Sequence, residues 1–131
     1  MGYTAGVFDL FHRGHQQYLE ACSTKCDCLV VGVDSDQLVR QKKGSERPIQ
    51  TCATRLETVR ESGYSTITFL KEHSADHILP LLRPDIYFIP STRELTSVRL
   101  VLLRSLGTKL IKVEYSKGVS TTALARLKRK P

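Results

Sequence analysis

The 131-residue sequence has no tryptophan, one methionine and no apolar stretch near the roughly 20 residues needed to cross a bilayer. Nothing in it argues for a membrane partner. Its opening, Met1-Gly2-Tyr3-Thr4, lacks a basic segment followed by an apolar one, so no signal peptide is read and a cytoplasmic location is expected. Cysteine is sparse: Cys22, Cys26, Cys28 and Cys52 show no paired C-x-x-C spacing. No metal site is therefore expected from them, and without signs of secretion they read as reduced, buried thiols. Acidic residues are short, 13 against 20 lysines and arginines, which gives a net charge of +7. Such a surface attracts anions without choosing between nucleic acid and nucleotide phosphates. The five tyrosines and four phenylalanines are scattered and form no base-stacking motif, so a nucleic-acid partner is not expected. The basic run Arg126 to Lys130 reads as cations at a helix C-terminus.

What is present is alternation. Strand-like runs fall at Tyr3 to Val7, Cys28 to Val33, Thr66 to Leu70, Asp85 to Ile89 and Lys109 to Val113. The second is apolar throughout, the pattern of a strand covered on both faces. Helical spacing falls at Gly14 to Ser23, Thr51 to Ser62, His73 to Leu82 and Arg93 to Leu106, with Gly107 as a C-cap. Ser120 would cap a last helix through Leu127. The one long irregular segment is Gln41 to Gln50. The expected fold class is α/β: one Rossmann-like domain over residues 1–131, a five-stranded parallel sheet with helices on both faces. Ligands of such sheets bind beyond the strands' C-terminal ends, where strand order reverses.

The segment Gly6-Val7-Phe8-Asp9-Leu10-Phe11-His12-Arg13-Gly14-His15 joins the first strand to the first helix. A helix start offers unpaired N–H groups and a positive dipole end, which suits phosphate. Gly6 allows a close backbone approach. His12 and His15, three apart, can point the same way and meet an anion that gains charge during reaction. Read only structurally, one histidine caps the turn and the other is solvated. His73 and His77 lack a third ligand and read as surface residues.

That segment resembles the HxGH signature of the cytidylyltransferase-like nucleotidyltransferases, in its longer form G-x-F-D-x-x-H-x-G-H. Lys43-Gly44-Ser45-Glu46-Arg47-Pro48-Ile49 resembles the family's K-G-x-x-R-P-x loop. Arg55 falls where the family carries a helix arginine, and Gly118-Val119-Ser120-Thr121-Thr122 resembles its G-x-S-T-T motif. The resemblance implies transfer of CMP or AMP from CTP or ATP to a phosphorylated small molecule, with release of pyrophosphate. It implies that His12, His15 and Lys43 serve catalysis, and that Gly6, Val7, Phe8, Gly14, Ser120, Thr121 and Thr122 contact the nucleotide. Arg55 is expected to hold the acceptor phosphate or the nucleotide as a planar fork. Asp9 orients a histidine, contacts the acceptor or helps hold Mg²⁺. The magnesium is expected on the triphosphate, and a homodimer is expected because relatives often form one. Among acceptors, a polyol or sugar phosphate with CTP is favoured.

One stretch departs from the pattern. Relatives usually carry a glycine-aspartate pair and an aromatic residue after the fourth strand, where this chain has Ile89-Pro90-Ser91-Thr92-Arg93-Glu94. Arg93 is a candidate anion contact there. The departure implies either an altered acceptor or a nucleotide-binding or regulatory relative with weakened catalysis.

Overall fold

A computed structural model describes residues 1–115. The expected Ser120-capped helix, the basic tail and the Ser120, Thr121 and Thr122 assignments lie outside the described residues. Five strands alternate with helices: β1 (Gly2–Gly6), α1 (Arg13–Ser23), β2 (Leu29–Asp34), α2 (Asp36–Lys43), α3 (Cys52–Glu61), β3 (Ile67–Lys71), α4 (Ala75–Leu82), β4 (Ile86–Pro90), α5 (Ser97–Leu106) and β5 (Lys109–Val113). All pairings are parallel and the strand order is β3-β2-β1-β4-β5. The expected fold class is what forms.

Alternation along the strands builds the two faces. Leu29, Val31, Val33 and Phe88 pack with Tyr18, Leu19 and Cys22 of α1 and Val59 of α3. Tyr3, Val30, Tyr87 and Ile89 pack on the other face with Ala75 and Leu79 of α4 and Leu103 of α5. Every residue of β2 is buried, as expected of a central strand. Chain order reverses between β1 and β4, so the C-terminal edge there is where a crevice opens.

Most boundaries shift by a residue or two, and two departures are larger: helix α2 is not among the expected elements, and α5 starts late. Residues 41–43, expected in an irregular segment, close α2. Its signals are local: Ser35 Oγ accepts from the Leu38 N–H, Asp36 sits in the first turn, and Gly44 ends it at φ +96°. Only Val39 is buried in α2, so no apolar period marks it in the sequence. The last described helix starts at Ser97 rather than Arg93, because the Thr96 hydroxyl accepts from the Arg99 N–H and caps it there. The four cysteines are unpaired; Cys22 alone is buried, and the other three are only partly covered. His73 and His77 are exposed, as expected of surface residues.

Candidate active site

A cleft of about 590 Å³ opens at the C-terminal ends of β1 to β4, a volume in the usual range for small-molecule sites. Gly6, Val7, Phe8, Asp9, His15, Lys43, Arg47 and Tyr115 line it, from the first turn, α1, α2 and the loops. Asp34, Lys71, Ser74, Tyr87, Arg93 and Arg99 line it too.

His15 is carried by the N-terminus of α1. His12 is its N-cap, in an extended conformation. His12 Nδ1 accepts from the Gly14 N–H at 3.0 Å, and His15 Nδ1 accepts from the His12 N–H at 3.1 Å. A nitrogen that accepts carries no proton, so each neutral ring keeps its proton on Nε2. The two rings lie 4.1 Å apart, centroid to centroid. Phe11 stacks on His15 at 5.2 Å, while Phe8 and Tyr115 meet it edge-on. Tyr115 Oη lies 3.4 Å from His12 Nε2. The pair closes the helix cap, and His15 also lines the cleft.

Burial under these rings pushes His15 down to about 3, with a charge on His12 and the Lys43 ammonium acting in the same direction and Asp9 opposing. Burial also lowers His12. Both rings are thus neutral N–H donors near neutral pH, and protonating either would cost a cap bond. The unfolded chain takes up a proton at His15 near pH 6.5, while the folded chain does so only near 3. Stability is complete above 6.5 and falls as the pH drops through that window. Going from about pH 7.5 to about pH 5 should remove ~2 kcal/mol through this residue. Urea denaturation of wild type and His15→Asn at both pH values checks this: the variant should lose less by about that amount.

The turn between Gly6 and His12 is strained. Phe8 and Leu10 both take left-handed backbone, at φ +54° and +52°. Such residues cost on the order of 1–3 kcal/mol each and persist where surroundings hold them. Asp9 supplies much of the hold. It is buried, and its carboxylate accepts the Ile49 N–H at 2.7 Å and the Gln50 N–H at 2.9 Å, with Arg47 at 3.7 Å. Gln50 Oε1 in return accepts the Leu10 N–H at 3.0 Å. Of the three roles read for Asp9, none of these bonds reaches a histidine; the residue clamps two loops together. At Gly6, which lines the cleft, a Cβ would meet the Phe8 ring at 3.1 and 3.2 Å, so the missing side chain also makes room for Phe8.

Arg55, expected at the phosphate, has no exposed surface and does not line the cleft. Its Nη1 donates to Val7 O at 2.8 Å, Nε to Gln50 O at 3.1 Å and Nη2 to Asp36 Oδ1 at 2.7 Å. The planar fork is used inside the protein, bracing the strained turn against α2 and the 47–50 loop. Lys43, at the end of α2, and Arg93, after β4, do line the cleft. Lys42 leans to Asp34 at 3.4 Å.

Sequence reasoning missed Asp34, Lys71 and Tyr115. Lys71 and Asp34 end strands β3 and β2, so the rule placing ligands at strand C-termini was the signal available. Tyr115 follows β5 and carries no such mark. Among the described residues, no group of three or more His, Cys, Asp or Glu is placed to hold a metal ion. Both Asp9 oxygens already accept backbone N–H groups. No described helix is long and apolar enough to cross a membrane.

Residues 3–126 match the family model described as Cytidylyltransferase-like. A D-beta-D-heptose 1-phosphate adenylyltransferase from Bordetella bronchiseptica is 31% identical over 125 residues, covering 93% of this chain and 77% of that protein. The bifunctional protein HldE of Acidiphilium cryptum is 34% identical over 127 residues, 94% of this chain and 26% of its own length. That of Bradyrhizobium sp. is 31% identical over 128 residues, with shares of 95% and 26%. The chain spans about a quarter of the length of these bifunctional relatives. A crystal structure of the lipopolysaccharide core biosynthesis protein from Thermoplasma volcanium superposes with a TM-score of 0.73 at 27% identity, covering 88% of this chain and 95% of that one.

Proposed function

The chain belongs to the cytidylyltransferase-like family, and we propose that it transfers AMP from ATP to a sugar phosphate, releasing pyrophosphate. The observation that carries this reading is the pair of imidazoles on the α1 cap. Both are held by Nδ1 as neutral donors at the positive end of the helix, and His15 lines the cleft with Lys43.

An oxygen of the acceptor phosphate attacks the α-phosphorus, and the bond from that phosphorus to the bridging oxygen of the β-phosphate breaks. Pyrophosphate leaves with the bond's electron pair. The acceptor is already ionised, so the reaction needs no general base. It needs two anions held in line, which is a task of positioning and charge neutralisation. Charge builds on the α-phosphate oxygens and the departing pyrophosphate. Nε2–H of His12 and His15 donate to those oxygens, and the Lys43 ammonium neutralises the leaving group. Magnesium held by the triphosphate would add positive charge on the leaving-group side. Ser120, Thr121 and Thr122 complete the triphosphate contacts, on the strength of the motif they resemble.

ATP replaces the CTP favoured from sequence. The support is the relative named for its nucleotide, an adenylyltransferase acting on a heptose 1-phosphate. Pairing ATP and CTP with aldose 1-phosphates, glycerol 3-phosphate and FMN tests the reading through pyrophosphate release. Release is expected with ATP and an aldose 1-phosphate, at a kcat/KM at least about tenfold above any CTP pair, a gap of ~1.4 kcal/mol. Absence of pyrophosphate from every pair would leave a nucleotide-binding protein without turnover.

A further inference from the structure

We propose that Lys71 is a specificity-determining residue, and that the acceptor it selects carries a second anionic oxygen group besides the phosphate that attacks. The inference rests on the transferase reading for the first phosphate and goes beyond it in naming the acceptor's chemistry.

Lys71 is only 4% exposed, yet it lines the cleft. Lysine is rarely so buried unless it is paired. Its ammonium reaches Asp34 Oδ1 at 3.3 Å, and the other oxygen of that carboxylate is shared with Lys42 at 3.4 Å. Charge-assisted bonds normally close to about 2.7–2.9 Å. The buried Arg55 does so, reaching Asp36 at 2.7 Å. Two ammonium groups held loosely on one carboxylate leave positive charge over and donors to spare. Burial holds Lys71 below the usual lysine range, and Asp34 opposes that shift only in part. A further anion would supply what Asp34 does not.

Two other features point to the same place. The Tyr3 hydroxyl is fully buried and has no hydrogen-bond partner among the described residues. It lies against Gly32, where a Cβ would meet Tyr3 Oη at 3.1 Å and Lys71 Cβ at 3.4 Å. Gly32 thus makes room for an unpaired donor beside the Lys71 stem. The N-terminus of α4 also opens here: Ser74 and Ala75 line the cleft, and the Ser74 side chain makes no cap bond. Arg93 and Arg99 add cationic charge, and Asp76 offsets Arg99 at 2.9 Å. Against Lys71, Lys42, Arg93 and Arg99 stand Asp34 and Asp76, so the balance favours a carboxylate or phosphate over a neutral hydroxyl.

Calorimetric binding in the presence of α,β-methylene-ATP tests this with glucose 1-phosphate, glucuronic acid 1-phosphate and glucose 1,6-bisphosphate. Wild type should bind at least one anionic partner about tenfold or more tighter than glucose 1-phosphate, the scale of one charge-assisted bond. Which of the two gains separates a carboxylate from a phosphate. In Lys71→Met the ratio should fall to about one, and Lys71→Arg should keep it. Equal wild-type affinity for all three overturns the proposal without any variant; so does a Lys71→Met protein that still discriminates. Pyrophosphate release, measured in parallel with ATP, keeps the two readings apart. Tight anionic binding without release would refute the transfer reading alone. Equal release and equal binding across the panel would refute the Lys71 assignment alone.

Discussion

His15→Asn is expected to lower turnover by roughly 10²- to 10³-fold while the protein stays folded at neutral pH, the usual loss for one well-placed donor to transition-state charge. The choice of asparagine follows from the two jobs of this ring. Nδ1 accepts the His12 N–H and closes the cap, and an asparagine Oδ1 occupies an equivalent place. Nothing in asparagine replaces the Nε2–H. His15→Gln makes the complementary change, because its terminal amide reaches toward the Nε2 position as a donor. It should recover about tenfold of the lost turnover and lose part of the cap, up to ~1 kcal/mol. Single-turnover rates with saturating ATP and acceptor, alongside urea denaturation, separate the two effects. Near-wild-type turnover in His15→Asn would remove the ring from the chemistry.

Arg55→Met is expected to cost roughly 3–5 kcal/mol of stability, the scale for breaking a buried ion pair from one side. The change leaves the Asp36 carboxylate without its 2.7 Å partner and two backbone carbonyls without donors. It also frees the turn carrying the left-handed Phe8 and Leu10. For a chain of this size that is a fall in Tm on the order of 10–15 °C. An arginine that held substrate phosphate in the cleft would behave oppositely, raising KM while the melting temperature stayed put. Thermal unfolding with and without ATP distinguishes these cases. A Tm change under about 3 °C would show that the guanidinium is not the brace described here.

The contrast between these two residues shows what a linear sequence carries. His12 and His15 are three apart on one helix turn, so local spacing alone places their rings together. Val31 and its neighbours are apolar without interruption, and that alone marks a strand covered on both sides. Arg55 and Asp9 are harder, because a charged side chain near a phosphate motif reads as a ligand until its partners are known. Asp9 meets the Ile49 and Gln50 N–H groups 40 and 41 residues away, and Arg55 reaches the Val7 carbonyl 48 residues away and the Asp36 carboxylate 19 away. The helix at 36–43 escaped for a related reason. Its caps are local, but it buries one apolar residue, and periodicity is a record of burial. Lys71 stands one residue past the strand read at Thr66 to Leu70, and only the parallel register that sets it opposite Asp34 joins the two at the cleft.

Transfer of label from the α-phosphate tests the central claim most directly. With [α-³²P]ATP and an aldose 1-phosphate, the account places the label in a new nucleotide-sugar and all unlabelled pyrophosphate in solution, and with [γ-³²P]ATP it places the label in pyrophosphate. Label that stays in ATP, or γ-label that appears as inorganic phosphate or on the sugar, would contradict attack at the α-phosphorus and with it the assignment of the paired histidines.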